Sequence, residues 1–106
     1  MKKATHKTDR NTITHFEQIM NVGPSMAEDF RRLGLSRPTQ LIDKDPWLLY
    51  TKISRLDNEV HDPCVLDCYW SAVDFMNGNP PRKWWKFTSD RKNRYGDQIA
   101  KFKSRF

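Results

Sequence analysis

The 106-residue sequence lacks a long apolar run, and its hydrophobic content is only 37%. No stretch approaches the roughly 20 apolar residues that a membrane-spanning helix needs. No apolar signal core follows the basic N-terminal residues. The two cysteines are too few for the disulfide framework of a small secreted domain. We therefore expect a cytosolic protein with no membrane span.

Patterns that carry catalysis or bind a cofactor are also absent. The sequence has no glycine-rich loop to cradle a phosphate, no nucleophile with an identifiable base, and no acidic cluster for two metal ions. Asp62 is better explained as a helix N-cap than as a catalytic acid. Asp67 and Asp74 are better explained as solvated or ion-paired carboxylates. We therefore expect neither an enzyme nor a bound cofactor.

Positive charge is abundant but unevenly distributed. Residues 1–12 hold four basic and one acidic residue, a net charge of +3, and residues 79–106 hold nine and two, a net charge of +7. The segment between them, residues 13–78, holds six basic and ten acidic residues, a net charge of −4. Basic ends favour a polyanion such as DNA, RNA or an anionic membrane surface. A purely solubilising role for both ends is the alternative.

Helical patterns dominate the body of the chain, and no segment alternates with β-branched residues as a strand would. Apolar spacing, together with Gly-Pro and Asp-Pro signals, predicts helices over residues 12–20, 24–33, 38–43, 46–56 and 62–76. Thr12, Asp45 and Asp62 are the expected N-caps. The sequence therefore predicts an all-α fold.

The stretch IMNVGPSMAEDFRRLGL, residues 19–35, indicates two helices joined by a tight glycine-proline turn. The second helix would present unpaired amide N–H groups and the positive end of its dipole, both of which suit a phosphate. Such contacts position a protein on DNA without reading its sequence. The candidate DNA-binding residues are Asn21, Val22, Gly23, Pro24, Ser25, Met26, Arg31, Arg32 and Arg37. The alternative is a tight turn that only joins two core helices.

The segment QIMNVGPSMAEDFRRLGL resembles the helix-hairpin-helix motif of DNA repair and recombination proteins, whose usual core is glycine, apolar, glycine and a following alanine. Val22, Gly23 and Ala27 match this core, and Asn21 replaces its first glycine. With DPWLLYTKI, HDPCVLDCYWSAVDF and KWWKF, the segment also resembles the small bacterial pathogenicity-locus family, whose members are often labelled helix-hairpin-helix or mitomycin-resistance proteins. This resemblance covers about residues 13–87, is most specific over His61–Asp67, and implies a DNA-linked role without a defined reaction.

The patterns and the resemblance together predict a five-helix bundle of two helix-hairpin-helix units. The second turn, residues 57–61, has no glycine and two carboxylates that would repel phosphate, so this unit is expected to be degenerate. We assign residues 1–12 to a basic tail, 13–87 to the helix-hairpin-helix domain, and 88–106 to a basic C-terminal extension with a helical pattern.

The first hairpin fits a phosphate site better by shape than by charge. Asparagine tolerates positive φ, so Asn21 can replace glycine. Ser25 leaves the turn without the cation that a lysine would supply, and Glu28 and Asp29 add repulsion. The leading hypothesis is a non-enzymatic, sequence-nonspecific DNA-binding module whose first hairpin holds the phosphate backbone. Its basic ends would supply much of the attraction, and the resemblance suggests a link to DNA repair or damage resistance.

A protein-interaction domain is the alternative function. Trp84 and Trp85 are adjacent, and at least one ring should pack on the helical body because two exposed indoles would be costly. Farther on, basic residues surround a helical stripe formed by Tyr95, Ile99, Phe102 and Phe106. Packing of this stripe on the protein's own core is favoured, and docking of a protein partner on the stripe or the tryptophans is the alternative.

His61, Cys64 and Cys68 form the one cluster with metal-ligand chemistry. Their spacing of 3 and 4 residues can place them on one helix face, with His6 or His15 as a distant fourth zinc ligand. Cys64 lies near a helix N-terminus, where a redox-sensing thiol is a further alternative. Packing as small apolar residues is favoured for both cysteines, so no metal is assigned.

Overall fold

The computed structural model describes residues 2–106, and this part of the chain contains four α-helices and no strand. The α-helices are α1 (Pro24–Arg32), α2 (Pro46–Leu56), α3 (Pro63–Met76) and α4 (Thr88–Arg105). Short 3-10 helices lie at Arg10–Thr12, Phe16–Gln18, Pro38–Leu41 and Trp84–Phe87. The all-α prediction is confirmed. No helix in residues 2–106 combines the length and apolar character needed to cross a bilayer.

The starts of α1, α2 and α3 follow from proline at the first helical position. Asp45 caps α2 by accepting a hydrogen bond from the Trp47 N–H at 2.9 Å. Asp62 caps α3 in the same way through the Cys64 N–H at 2.8 Å. Both predicted N-caps are confirmed. The N-cap of α1 is Gly23, which has no side chain with which to cap the helix.

The predicted helix over residues 12–20 is wrong. The structure has two 3-10 helices there, Arg10–Thr12 and Phe16–Gln18, and extended backbone separates them. The N-cap of the first is Asp9, so Thr12 caps no helix.

The side chain of Gln18 caps a turn that begins at His15 and not at Thr12. Its Oε1 accepts hydrogen bonds from the backbone N–H groups of Thr14 and His15, each at 2.9 Å, as a residue three positions after an N-cap does. The backbone is extended again at Ile19, so only this short turn forms. The β-branched residues of the segment also have low helix propensity. Ile13 and Phe16 are nevertheless buried. The apolar spacing therefore identified core positions but not the conformation that places them there.

The five-helix bundle is not the observed arrangement. Besides the missing first helix, the predicted connector over residues 38–43 is the 3-10 helix Pro38–Leu41. The fourth α-helix of the described residues, α4, comes from the C-terminal extension instead. The two helix-hairpin-helix units are not confirmed.

Helix α4 packs on the body through the predicted apolar stripe. Tyr95 and Ile99 are buried in the main core, Phe102 packs against it, and Phe106 is 47% exposed. The Tyr95 ring stacks on Trp47 of α2, with centroids 5.5 Å apart and an interplanar angle of 7°. The stripe thus packs on the protein's own core, as favoured from the sequence.

A buried ion pair joins α3 to α4. Asp67 is fully buried, and its Oδ1 accepts a hydrogen bond from Arg91 Nε at 2.9 Å. Its Oδ2 accepts a hydrogen bond from Thr88 Oγ1 at 2.8 Å. Asp67 is therefore an ion-paired carboxylate, one of the two alternatives expected from the sequence, and it is not solvated. The network holds the first turn of α4 and, with it, the preceding 3-10 helix Trp84–Phe87.

Candidate nucleic-acid interface

Residues 21–26, which lead into α1 and form its first residues, are called the α1 turn below. Asn21 has a φ of 73°, the left-handed conformation that asparagine tolerates, as the sequence analysis noted for this position. Gly23 has a φ of −98° and a ψ of −176°, which any residue can adopt. A Cβ at Gly23 would meet no atom within 4 Å. Neither the backbone nor its surroundings require glycine here, so its effect is to leave the surface of the turn open.

The N-terminus of α1 has backbone donors that lack a partner within the helix. The first backbone hydrogen bond of the helix runs from the Ala27 N–H to the Gly23 carbonyl at 3.0 Å. The N–H groups of Ser25 and Met26 precede this bond and lie at the positive end of the helix dipole. Pro24 has no N–H. Ser25 is exposed and Met26 is half-buried, so the Ser25 hydroxyl is the accessible side-chain donor.

Lys3 brings a positive charge to the α1 turn. Its Nζ donates hydrogen bonds to the carbonyl oxygens of Glu17 at 2.6 Å, Ile19 at 3.0 Å and Val22 at 2.7 Å. An ammonium group has three donors, so this set fixes its position. Burial lowers the pKa of Lys3, and the charge of Glu17 opposes this effect. The side chain of Val22 is buried, so this predicted site residue offers the turn only its backbone.

The side chain of Asn21 joins the α1 turn by hydrogen bonding to the basic C-terminal part of the chain, residues 79–106. Its Nδ2 donates a hydrogen bond to the Arg82 carbonyl at 2.7 Å and another to Ser71 Oγ at 3.1 Å. Arg82 begins the run RKWWK, residues 82–86. The two basic ends of the sequence therefore meet at this turn, one through Lys3 and the other through Asn21.

Arg31 and Arg37, two of the predicted flanking arginines, have different surroundings. Arg31 lies 3.3 Å from Glu28 Oε2 and 3.7 Å from Glu17 Oε1. These carboxylates offset its charge, although such exposed pairs stabilise a fold little. Arg37 is exposed and forms no ion pair within residues 2–106.

Arg32, the third flanking arginine, belongs to a network at the far end of α1. It pairs with Asp57 and, at 3.4 Å, with Asp29. Asp57 Oδ2 also lies 2.6 Å from Nε2 of His61. The hydrogen bond from Arg32 and, to a smaller extent, that from His61 lower the pKa of Asp57. Asp57 and Asp29 thus offset the charge of Arg32, and Asp57 also contacts the imidazole of His61.

The two cysteines are free thiols and both are half-buried. Burial raises the pKa of Cys64 and raises that of Cys68 to about 11. A high pKa disfavours the thiolate that metal binding or redox sensing requires. Within the described residues, no three His, Cys, Asp or Glu side chains come together as a group that could hold a metal ion.

Trp85 is the most exposed tryptophan of the chain, with 55% of its surface accessible, whereas Trp84 is half-buried. The two rings meet edge to face, with centroids 5.8 Å apart and an interplanar angle of 85°. The two rings thus contact each other, and the packing of one of them on the helical body stays a prediction.

The sequence is similar to known proteins over most of its length. A family profile described as Cdd1, pathogenicity locus, matches residues 9–93. The chain is 45% identical over 74 residues to a protein of Streptomyces lavendulae named mitomycin resistance protein McrB, and the alignment covers 70% of each chain. No solved structure matches the chain. The residues that match the profile include the α1 turn, residues 82–86 and the Asp67–Arg91 pair, but not Lys3.

Proposed function

The chain belongs to the pathogenicity-locus family, and we propose that it binds DNA by holding the phosphate backbone at the α1 turn. One observation carries this proposal: both basic ends converge on the turn, Lys3 through the Val22 carbonyl and residues 82–86 through Asn21. Amide N–H groups at a helix N-terminus, with a cation at the turn and a basic segment beside it, form an arrangement that suits a phosphate. The relative's name, mitomycin resistance, supports a link to damage resistance.

The proposed contacts are divided between the backbone and side chains. The N–H groups of Ser25 and Met26, with the Ser25 hydroxyl, would bind one phosphate. Lys3 would act through its charge alone, because carbonyls already occupy its three donors. The exposed cations of residues 82–86 would contact neighbouring phosphates. Contacts of this kind read no sequence and involve no reaction, so we propose a nonspecific, non-catalytic role. We also propose a cytoplasmic location.

A titration of fluorescent duplex DNA at several salt concentrations tests the proposal. The logarithm of the affinity should fall linearly with the logarithm of salt concentration, with a slope of about −0.9 for each phosphate neutralised. Absent or salt-insensitive binding would contradict the proposal.

Substitutions at Gly23 show whether the α1 turn is the site. Gly23→Asp should fold normally, since there is room for the side chain, the φ is ordinary, and aspartate is a good N-cap. Its carboxylate would repel a phosphate at the turn, so we expect at least a tenfold loss of affinity. Gly23→Asn is the matched control, because it has the same shape and capping ability without the charge. Equal affinities for the two variants would place the DNA elsewhere.

A further inference from the structure

Residues 82–86 combine three basic residues with two tryptophans, and this segment is called the Trp85 platform below. Tryptophan is highly buried on average, yet Trp85 is 55% exposed. The Trp85 ring meets that of Trp84 edge to face, with centroids 5.8 Å apart. The platform therefore presents an indole to solvent beside fixed aromatic and basic neighbours.

The backbone of the platform is anchored on the body. Phe87, which directly follows it, is buried, and its ring centroid lies 5.6 Å from that of Trp70 on α3. The guanidinium of Arg82 lies 4.5 Å from the centroid of the same Phe87 ring. The next residue, Thr88, donates a hydrogen bond to buried Asp67. The exposed indole of Trp85 is thus carried by a backbone segment that is packed on the core, and not by a free loop.

Most of the positive charge of the platform is not offset by a nearby carboxylate, although the charge of Arg82 opposes the larger effect by which burial raises the pKa of Asp74. Arg82, Lys83 and Lys86 are exposed, and none forms an ion pair with a carboxylate in the described chain. The ammonium of Lys83 lies 5.9 Å from the centroid of the Trp85 ring. An aromatic surface with unpaired positive charge complements a ligand that combines a flat ring with an anion, as a nucleotide does.

The platform also lies beside the α1 turn. The Asn21 side chain donates to the Arg82 carbonyl at 2.7 Å. Trp85 follows Arg82 by three residues, so their Cα atoms are at most about 11 Å apart. A strand whose phosphate is bound at the turn would therefore pass within reach of the indole.

We propose that the Trp85 platform stacks an unpaired base, so that the protein prefers single-stranded DNA to duplex DNA of the same sequence. The inference rests on the proposed function, because the α1 turn supplies the phosphate contact. Bases in a duplex are already stacked on each other, whereas an unpaired base can leave its neighbours and lie on an exposed ring. Stacking on an aromatic side chain tolerates any base, which agrees with backbone contacts that read no sequence.

The test compares three DNA probes at one salt concentration: a single strand, the same strand with abasic sites, and the duplex. The strand with abasic sites keeps every phosphate but lacks the bases at those sites. The unmodified protein should bind the intact strand about 5- to 150-fold more tightly than the abasic strand, the range expected for one stacked base. Trp85→Ala should remove this difference while its affinity for the abasic strand stays within about twofold. Trp85→Phe should keep part of the difference.

Leu48→Ala is the matched control, because Leu48 is another exposed apolar residue, 62% accessible, on α2. It should leave all three affinities unchanged. Equal affinities of the unmodified protein for intact and abasic strands would overturn the stacking proposal and leave backbone binding standing. A preference that persists in Trp85→Ala would also overturn it. Failure to bind any of the three probes would overturn both the stacking proposal and the proposed function.

Discussion

The side chain of Arg91 on α4 donates a hydrogen bond at 2.9 Å to Asp67 on α3, and both residues are buried. A second donor, Thr88 Oγ1, approaches the other carboxylate oxygen at 2.8 Å. Asp67 is the last residue of the stretch HDPCVLD, the most specific part of the family resemblance. Its contacts give this residue a structural role, because they fix the start of α4 and the Trp85 platform before it.

We predict that Arg91→Met destabilises the protein by about 3–5 kcal/mol, because it leaves a buried carboxylate without its charged partner. The double variant Asp67→Leu/Arg91→Met should recover much of this loss, since it removes both charges. Urea unfolding followed by circular dichroism measures the free energy of unfolding of each variant. Lys92→Met, at an exposed neighbouring position, is the control and should change stability little. A single variant within about 1 kcal/mol of the parent would show that the pair does not stabilise the fold as argued.

The Arg32–Asp57–His61 network predicts a loss of stability in acid. Hydrogen bonds from Arg32, and then from His61, hold the pKa of Asp57 below its ordinary value of 3.8. A carboxyl whose pKa is lower in the folded state contributes stability above pH 3.8. It loses this contribution as the pH falls from there through the folded pKa. Thermal unfolding from pH 5 downward should therefore show a falling midpoint below about pH 3.8.

Asp57→Asn separates this contribution from other acid effects. The variant should be less stable than the parent at pH 5, and the difference should shrink as the pH falls below about 3.8. Asp97→Asn changes an exposed carboxylate on α4 that forms no ion pair within residues 2–106. Its unfolding profile should follow that of the parent protein. Parallel profiles for Asp57→Asn and the parent would show that Asp57 is not the group responsible.

The sequence predicted those helices whose starts are encoded locally. Proline and a capping aspartate set the start of α2 at Pro46, and the same signals set the start of α3 at Pro63. The helix predicted over residues 12–20 failed because Gln18 caps a turn that begins at His15, and the backbone is extended again at Ile19. Apolar spacing cannot reveal where such a turn begins and ends, since it identifies only which residues are buried.

The candidate site was predicted only in part, for a similar reason. The positive φ of Asn21 follows from a local preference of asparagine and was foreseen. The contacts of Lys3 with Val22 and of Asn21 with Arg82 span 19 and 61 residues and end on backbone carbonyls. Because every residue has a backbone carbonyl, the residue types in the sequence do not identify which residue accepts these hydrogen bonds. The meeting of the two basic ends is visible only in the folded chain.

The thiols give a prediction that separates the proposed function from a redox sensor. Burial raises the pKa of both Cys64 and Cys68. Alkylation by iodoacetamide at pH 7 should therefore be slow in the folded protein and fast in urea, with Cys64 reacting before Cys68. Mass spectrometry of a time course measures both rates. Cys64→Ser should leave DNA affinity within about twofold, and rapid oxidation of Cys64 by mild peroxide at pH 7 would instead support a sensor.

Substitutions of Asn21 distinguish its backbone role from its hydrogen bonds. Asn21→Gly keeps the positive φ but loses the hydrogen bonds to Arg82 and Ser71, at about 1 kcal/mol each. Asn21→Ala loses the same bonds and adds about 1–2 kcal/mol for the left-handed backbone. Stability in urea should thus decrease from the parent to Asn21→Gly and then to Asn21→Ala. Because Asn21→Gly also removes the hydrogen bond that joins the α1 turn to Arg82, its affinity for DNA should fall although the turn keeps its shape. An unchanged affinity would show that the two basic parts bind independently.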